Sequence, residues 1–162
     1  MDKMPLKEAI ATFVTRASER LRSQKQVCSR LMVHIQTDRF KTERYFNVET
    51  VNLSQETSAT NTLIHAALEA FERIYRPGLA YKKAGVILLG TRSAHEAQLS
   101  LFENQAPPEN ENLIKTLDHI NQKMGRDSVS FAACGTTKSW RPRSAKHTPC
   151  YTTCWDDLIV AK

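Results

Sequence analysis

Apolar residues recur every three or four positions over residues 5–25, at Leu6, Ile10, Phe13, Val14, Ala17 and Leu21, which places them on one stripe of an α-helix and turns Arg16, Arg20 and Arg22 away from it. The period then changes to two. Val27, Ser29, Leu31, Val33 and Ile35 alternate with Arg30, Met32, His34 and Gln36, the pattern of a strand with one face buried and the other polar. Residues 45–53 read as a second strand, and the basic loop of residues 38–44 between the two predicts an antiparallel hairpin. Thr60 or a neighbouring Ser or Thr is placed to cap a second helix with apolar positions at Leu63, Ala67, Ala70, Phe71 and Ile74, and Arg76-Pro77-Gly78 stops it. The apolar run of residues 81–90 predicts a third, buried strand. Helix, strand, strand, helix, strand is a split β-α-β arrangement short of its first strand, so the predicted class is α+β, a sheet packed by two helices.

Beyond this module the pattern weakens. Residues 91–112 are rich in Ser, Gln, Asn and Glu and contain Pro107-Pro108, the composition of a linker without a core. A third helix is predicted over residues 110–123, with Leu113, Leu117 and Ile120 on one face and Gly125 just past its end. A short strand is predicted at Ser128–Ala133, completing a small C-terminal α+β module, before an irregular tail in which Lys138, Arg141, Arg143 and Lys146 surround Trp140. The expected organisation is a first domain over residues 1–95, a linker over 96–109 and a second module over 110–162.

The 162 residues, 41% hydrophobic and 25% charged, argue against wholesale disorder. No apolar run approaches the ~18 residues of a membrane span, and the charged start Met1-Asp2-Lys3 lacks the apolar stretch of a signal peptide, so a cytoplasmic location is expected. The net charge of +6 is unevenly placed: residues 1–95 hold 15 Lys and Arg against 9 Asp and Glu, whereas the remainder is balanced. A basic first domain favours a polyanion such as DNA, bound with strong salt dependence. Cys28, Cys134, Cys150 and Cys154 show no disulfide framework. Together with His147, the last three offer soft metal donors, but without a Cys-x-x-Cys knuckle they read as ordinary thiols, and no metal site is expected. No strand-borne acidic cluster or nucleotide-binding loop stands in the chain, so no catalytic residue is expected either.

One apolar knot interrupts the linker: Gln98, Leu99, Ser100, Leu101 and Phe102. Adjacent Leu and Phe side chains can enter one apolar pocket while the Gln amide satisfies a polar one nearby, and the pentapeptide matches the bacterial sliding-clamp-binding motif. Three further segments, Ala17–Arg22, Tyr81–Val86 and Tyr151–Thr153, fall in order around it. With these the chain resembles, over nearly its whole length, the C-terminal part of the UmuC-like Y-family translesion DNA polymerases.

The resemblance implies a little-finger domain that holds primer-template DNA by its phosphates, a clamp-binding peptide and a small C-terminal UmuC-type accessory domain, all in a protein of DNA repair and SOS mutagenesis. Under it the candidate DNA contacts are Arg30, His34, Arg39, Lys41, Arg44, Lys82 and Lys83, with the polar face of the sheet along the major groove and no cofactor in this part of the polymerase, Mg²⁺ belonging to the catalytic part. It further names the UmuD′ dimer and the RecA filament as partners. On the rival reading, the module binds such protein partners and its basic face is incidental. The family's sheet has a strand ahead of the first helix. Its loss is expected to open an interior edge, filled by Ser128–Ala133 or by the matching edge of a second molecule in a homo-oligomer.

Overall fold

A computed structural model describes residues 3–40, 43–95, 111–138, 140, 141 and 148. Helix α1 spans Lys3–Ser23, strand β1 Gln26–Thr37, strand β2 Phe46–Thr57, helix α2 Thr60–Ile74, strand β3 Tyr81–Ser93 and helix α3 Glu111–Met124; a 3-10 turn follows at Ala132–Cys134. The fold is α+β. Pro5 sits in the first turn of α1, where its missing N–H would have no helical partner anyway. Arg20 and Arg22 occupy the last turn, where cations suit the dipole. The helix closes on Lys25 in the left-handed region (φ 54°), and the Lys25 carbonyl accepts from the Ala94 N–H at 2.9 Å, tying the start of β1 to the end of β3.

The sheet has the order β2-β1-β3, with β1 antiparallel to both neighbours. β2 and β3 therefore run parallel to each other around β1 and are joined across it by α2, which is one complete split β-α-β unit. No strand stands between these three, and among the described residues nothing pairs with the outer sides of β2 and β3. Residues 128–133 do not fill an edge either. Ser128 and Val129 instead follow α3 in a turn held by Asn121, whose side-chain amide donates to the Val129 carbonyl and accepts from its N–H, both at 2.9 Å. Phe131 and Cys134 then pack on the core beside α1.

α1 and α2 cover one face of the sheet. Between them and the strands lie Leu6, Ile10, Val14, Leu31, Val33, Ile35, Leu63, Ala67, Ala70, Phe71 and Ile74. The alternation in β1 holds from Arg30 onward, but Cys28 rather than Ser29 is buried, because the pairing with β2 shifts register between Cys28 and Arg30. Burial pushes the Cys28 thiol up to about 11. Thr60 does not cap α2. The position before the helix is Ala59, without a side-chain cap, and the fully buried Thr60 hydroxyl bonds that of Ser18 at 2.8 Å. On α3 the buried residue is Ile114, one position away from the predicted stripe, and Leu113 is 61% exposed.

The C-terminal residues lie along the outer side of α1. Near the helix end, Arg22 donates from Nε and Nη2 to both carboxylate oxygens of Asp118 at 2.7 Å, and from Nη1 to the Ser58 carbonyl at 2.9 Å and to Thr60 at 2.8 Å. Midway, Asp127 takes Lys138 at 2.8 Å, Arg141 at 2.6 Å and Arg16 at 3.6 Å. These cations, the hydrogen bond from Lys138 foremost, hold the Asp127 carboxyl at about 2. Towards the helix start, Trp140 meets Phe13 edge to face at 5.4 Å between centroids.

Candidate nucleic-acid interface

Residues directly opposite in antiparallel strands point to the same face, so the register writes out the uncovered side of the sheet. Its rows are Phe46–Gln36–Lys83, Val48–His34–Gly85, Thr50–Met32–Ile87 and Asn52–Arg30–Leu89. None of these positions carries a carboxylate; the nearby Glu49 points the other way and pairs with Arg73 of α2 at 3.1 Å. At about 6.7 Å per two residues of strand, Lys83 and Arg30 stand roughly 20 Å apart, one at each end of the face. Between them the surface is more apolar than its sequence pattern suggested: Phe46 is 62% and Ile87 45% exposed. The His34 ring lies against the backbone of Gly85, where a Cβ would fall 2.3 Å from its Cε1 atom.

The remaining candidates gather at one end of the sheet. Arg39 is exposed, with its guanidinium 4.9 Å from the centroid of the exposed Phe40 ring, and Arg44 is exposed at the other side of the hairpin loop. Lys82 occupies the irregularity where Gln36 faces Lys83 but Thr37 faces Tyr81, and its ammonium pairs with Asp38 at 2.9 Å, which offsets part of its charge. Lys41 lies outside the described residues. Sequence reasoning missed Arg76. Its guanidinium sits 4.7 Å from the centroid of Tyr45, next to Arg44. The signal was the Arg76-Pro77-Gly78 turn, which returns the chain from α2 to the start of β3 and so to the hairpin end of the sheet. A tyrosine cluster fixes this end. Tyr81 packs on Tyr45 and Tyr75 at 6.1 and 5.6 Å, accepts from the Arg76 N–H at 2.8 Å and donates to the Arg76 carbonyl at 3.0 Å, and Tyr45 donates to the Ile74 carbonyl at 2.6 Å. Burial pushes the Tyr81 phenol up, so it remains a donor.

The structure thus sets Arg39, Arg44, Lys82 and Lys83 at the hairpin end of the sheet, where Arg76 stacks on Tyr45, places His34 in the middle of the open face and sets Arg30 apart at its far end. The clamp-motif residues Gln98–Phe102, like His147, Cys150 and Cys154, lie outside the described residues. Among the described residues no three His, Cys, Asp or Glu side chains stand where they could hold a metal ion. On the opposite side, a cavity of about 900 Å³ between α1, the β2–α2 junction and α3 mixes Glu19, Arg22, Lys25, Glu56 and Asp118, a balance of charge unsuited to a polyanion.

A family described as the impB/mucB/samB family C-terminal domain matches residues 2–101, which include every element of the sheet and both helices that cover it. The chain belongs to the impB/mucB/samB family. A second family, a domain of unknown function designated DUF4113, matches residues 111–161. Over 99% of the chain the sequence is 34% identical to Protein ImpB of Salmonella typhimurium and 33% identical to Protein UmuC of the same species. It is 27% identical to DNA polymerase IV of Clostridium acetobutylicum over 79% of the chain. The chain spans 38% and 39% of the length of the first two relatives and 31% of the third. Among the described residues, no helix is long and apolar enough to cross a membrane.

Proposed function

We propose that this impB/mucB/samB chain is the DNA-gripping and clamp-tethering C-terminal part of an error-prone, Y-family translesion polymerase acting in DNA repair, and that it carries no polymerase chemistry of its own. The observation that supports this reading best is the sheet face without carboxylates, bounded by Arg30 and by the cations at the hairpin end. Such a surface concentrates a phosphate backbone, and contacts to phosphate position the duplex without reading its sequence. Arg39, Arg44, Lys82, Lys83 and Arg76, with Lys41 in the same loop, take the phosphates of primer-template DNA, while Arg30 and His34 extend the track along the face. Gln98–Phe102 tethers the polymerase to the sliding clamp, its Leu101 and Phe102 serving as anchors. Ala94 and His95 ahead of that segment and Ile114 and Lys115 beyond it border the same cavity.

A salt titration of duplex binding tests the grip: affinity falls steeply with ionic strength, is indifferent to sequence, and drops when Arg39, Lys41 and Arg44 are changed to Glu. Salt-insensitive or sequence-selective binding sinks the proposal. The tether is tested separately, by loss of binding to purified clamp in the Leu101→Ala/Phe102→Ala variant; an unchanged affinity refutes it. A protein-binding role is favoured for α3, where Leu113 and Met124 are 61% and 74% exposed; the UmuD′ dimer and the RecA filament are the partners to try. Pairing of two chains through the free edge of β2 or β3 is checked by light scattering, with a monomer as the result against it.

A further inference from the structure

A grip made only of phosphate contacts leaves the middle of the sheet face unexplained. Phosphates need cations or N–H donors, yet the two rows between those of Lys83 and Arg30 present Val48, Met32, Ile87 and the neutral Thr50, with the His34 ring laid against Gly85, and Phe46 and Leu89 stand in the end rows beside Gln36 and Asn52. Phe46 is 62% exposed on the edge strand, next to the cationic hairpin end, where Phe40 is 79% exposed under the Arg39 guanidinium. An aromatic ring left in water on a rigid antiparallel sheet, in a face whose rows carry no carboxylate and with cations at both ends, is the surface on which unpaired bases stack while their phosphates reach the flanking charges.

We propose that the open face of the sheet binds single-stranded nucleic acid, with Phe46 as a stacking platform for an unpaired base, His34 and the Met32–Ile87 pair as the bed for its neighbours, and Lys83 and Arg30 as phosphate anchors roughly 20 Å apart. This rests on the DNA-binding reading above and deepens it: the hairpin-end cations serve any phosphate backbone, whereas the face distinguishes unpaired from paired bases. Charge favours this occupant over another protein, because every charged group in the rows of the face is cationic. A second copy of the chain would set Arg30 and Lys83 against their own kind.

The test uses the full chain, a labelled oligothymidylate of about 12 nucleotides and a duplex of equal length, with affinities read by fluorescence anisotropy. Phe46→Ala removes a ring that the core does not use, and unchanged circular dichroism confirms the fold. The variant is expected to weaken the single strand roughly tenfold, about one base–aromatic stack, and the duplex less than about twofold. Phe46→Tyr restores the affinity for the single strand. Unchanged single-strand affinity in Phe46→Ala, with Arg39→Glu/Arg44→Glu still weakening the duplex, overturns the stacking proposal and leaves the phosphate grip standing. Equal weakening of both ligands also overturns it, as does a self-associating chain that Phe46→Ala renders monomeric without loss of single-strand affinity. If the unchanged chain binds neither ligand at low salt, both readings fall.

Discussion

Replacing Arg22 with Met keeps the length of the side chain and removes its charge, and with it the four hydrogen bonds by which one guanidinium joins α1, the start of α2 and α3. What remains is Asp118, 17% exposed and facing the vacated site. Breaking a buried ion pair from one side costs 3–5 kcal/mol, and since this pair keeps some contact with water the low end applies, about 3 kcal/mol. For a chain of this length that is a fall in Tm of roughly 6–12 °C. The partner variant, Asp118→Leu, leaves Arg22 its bonds to Ser58 and Thr60 and costs less, about 2 kcal/mol. Combined, Arg22→Met/Asp118→Leu strands no charge, so the double variant loses less than the sum of the singles by at least about 1.5 kcal/mol. Urea unfolding followed by circular dichroism at neutral pH measures all three. Additive losses would refute the reasoning, because they would mean that the two groups do not feel each other.

Two further outcomes are expected. The Asp127 carboxyl is held at about 2, below the usual carboxylate value near 4, chiefly by Lys138 and then by Arg141, against the opposing effect of burial. Its contribution to stability is therefore present above pH ~4 and is lost as the pH falls from about 4 towards 2. Asp127→Asn should be less stable at neutral pH and should lose less over that window, and thermal melts from pH 7 to pH 2 that run parallel for the two proteins would contradict this. Gly85→Ala places a methyl 2.3 Å from the His34 ring, forcing the ring off the strand. A loss of about 1–2 kcal/mol in chemical unfolding is expected, and an unchanged midpoint would show that His34 is not seated there.

Most of the fold was legible because it rests on periodicity. The stripes of α1 and α2, the alternation from Arg30 to Gln36 and the helical stop at Arg76-Pro77-Gly78 depend on local spacing alone. The misreadings share a cause: they depended on partners distant in sequence. Cys28 is buried in place of Ser29 because β2 changes its pairing there, and nothing in β1 itself encodes that shift. Thr60 has the chemistry of a cap, but Ser18 and Arg22 claim its hydroxyl. α3 turns Ile114 inward because Asp118, one helical turn on, must face Arg22, so an ion pair overrides the wider apolar stripe of Leu113, Leu117 and Ile120. At the interface, the cations were visible as residue types, whereas Phe46 could be placed beside Gln36 and Lys83 only once the register was known.

The pair formed by Arg22 and Asp118 bridges 96 positions of sequence, and this has a kinetic meaning. A chain made from its N-terminus can assemble α1, the three strands and α2 while the carboxylate that completes Arg22 has yet to be synthesised; until then the guanidinium has Ser58, Thr60 and water. Contacts of such long range form late, after the loops they close have been constrained by nearer ones. Docking of α3 is then a final step laid on a finished sheet, absent from the transition state, and the ion pair acts mainly as a brake on unfolding rather than as an accelerator of folding.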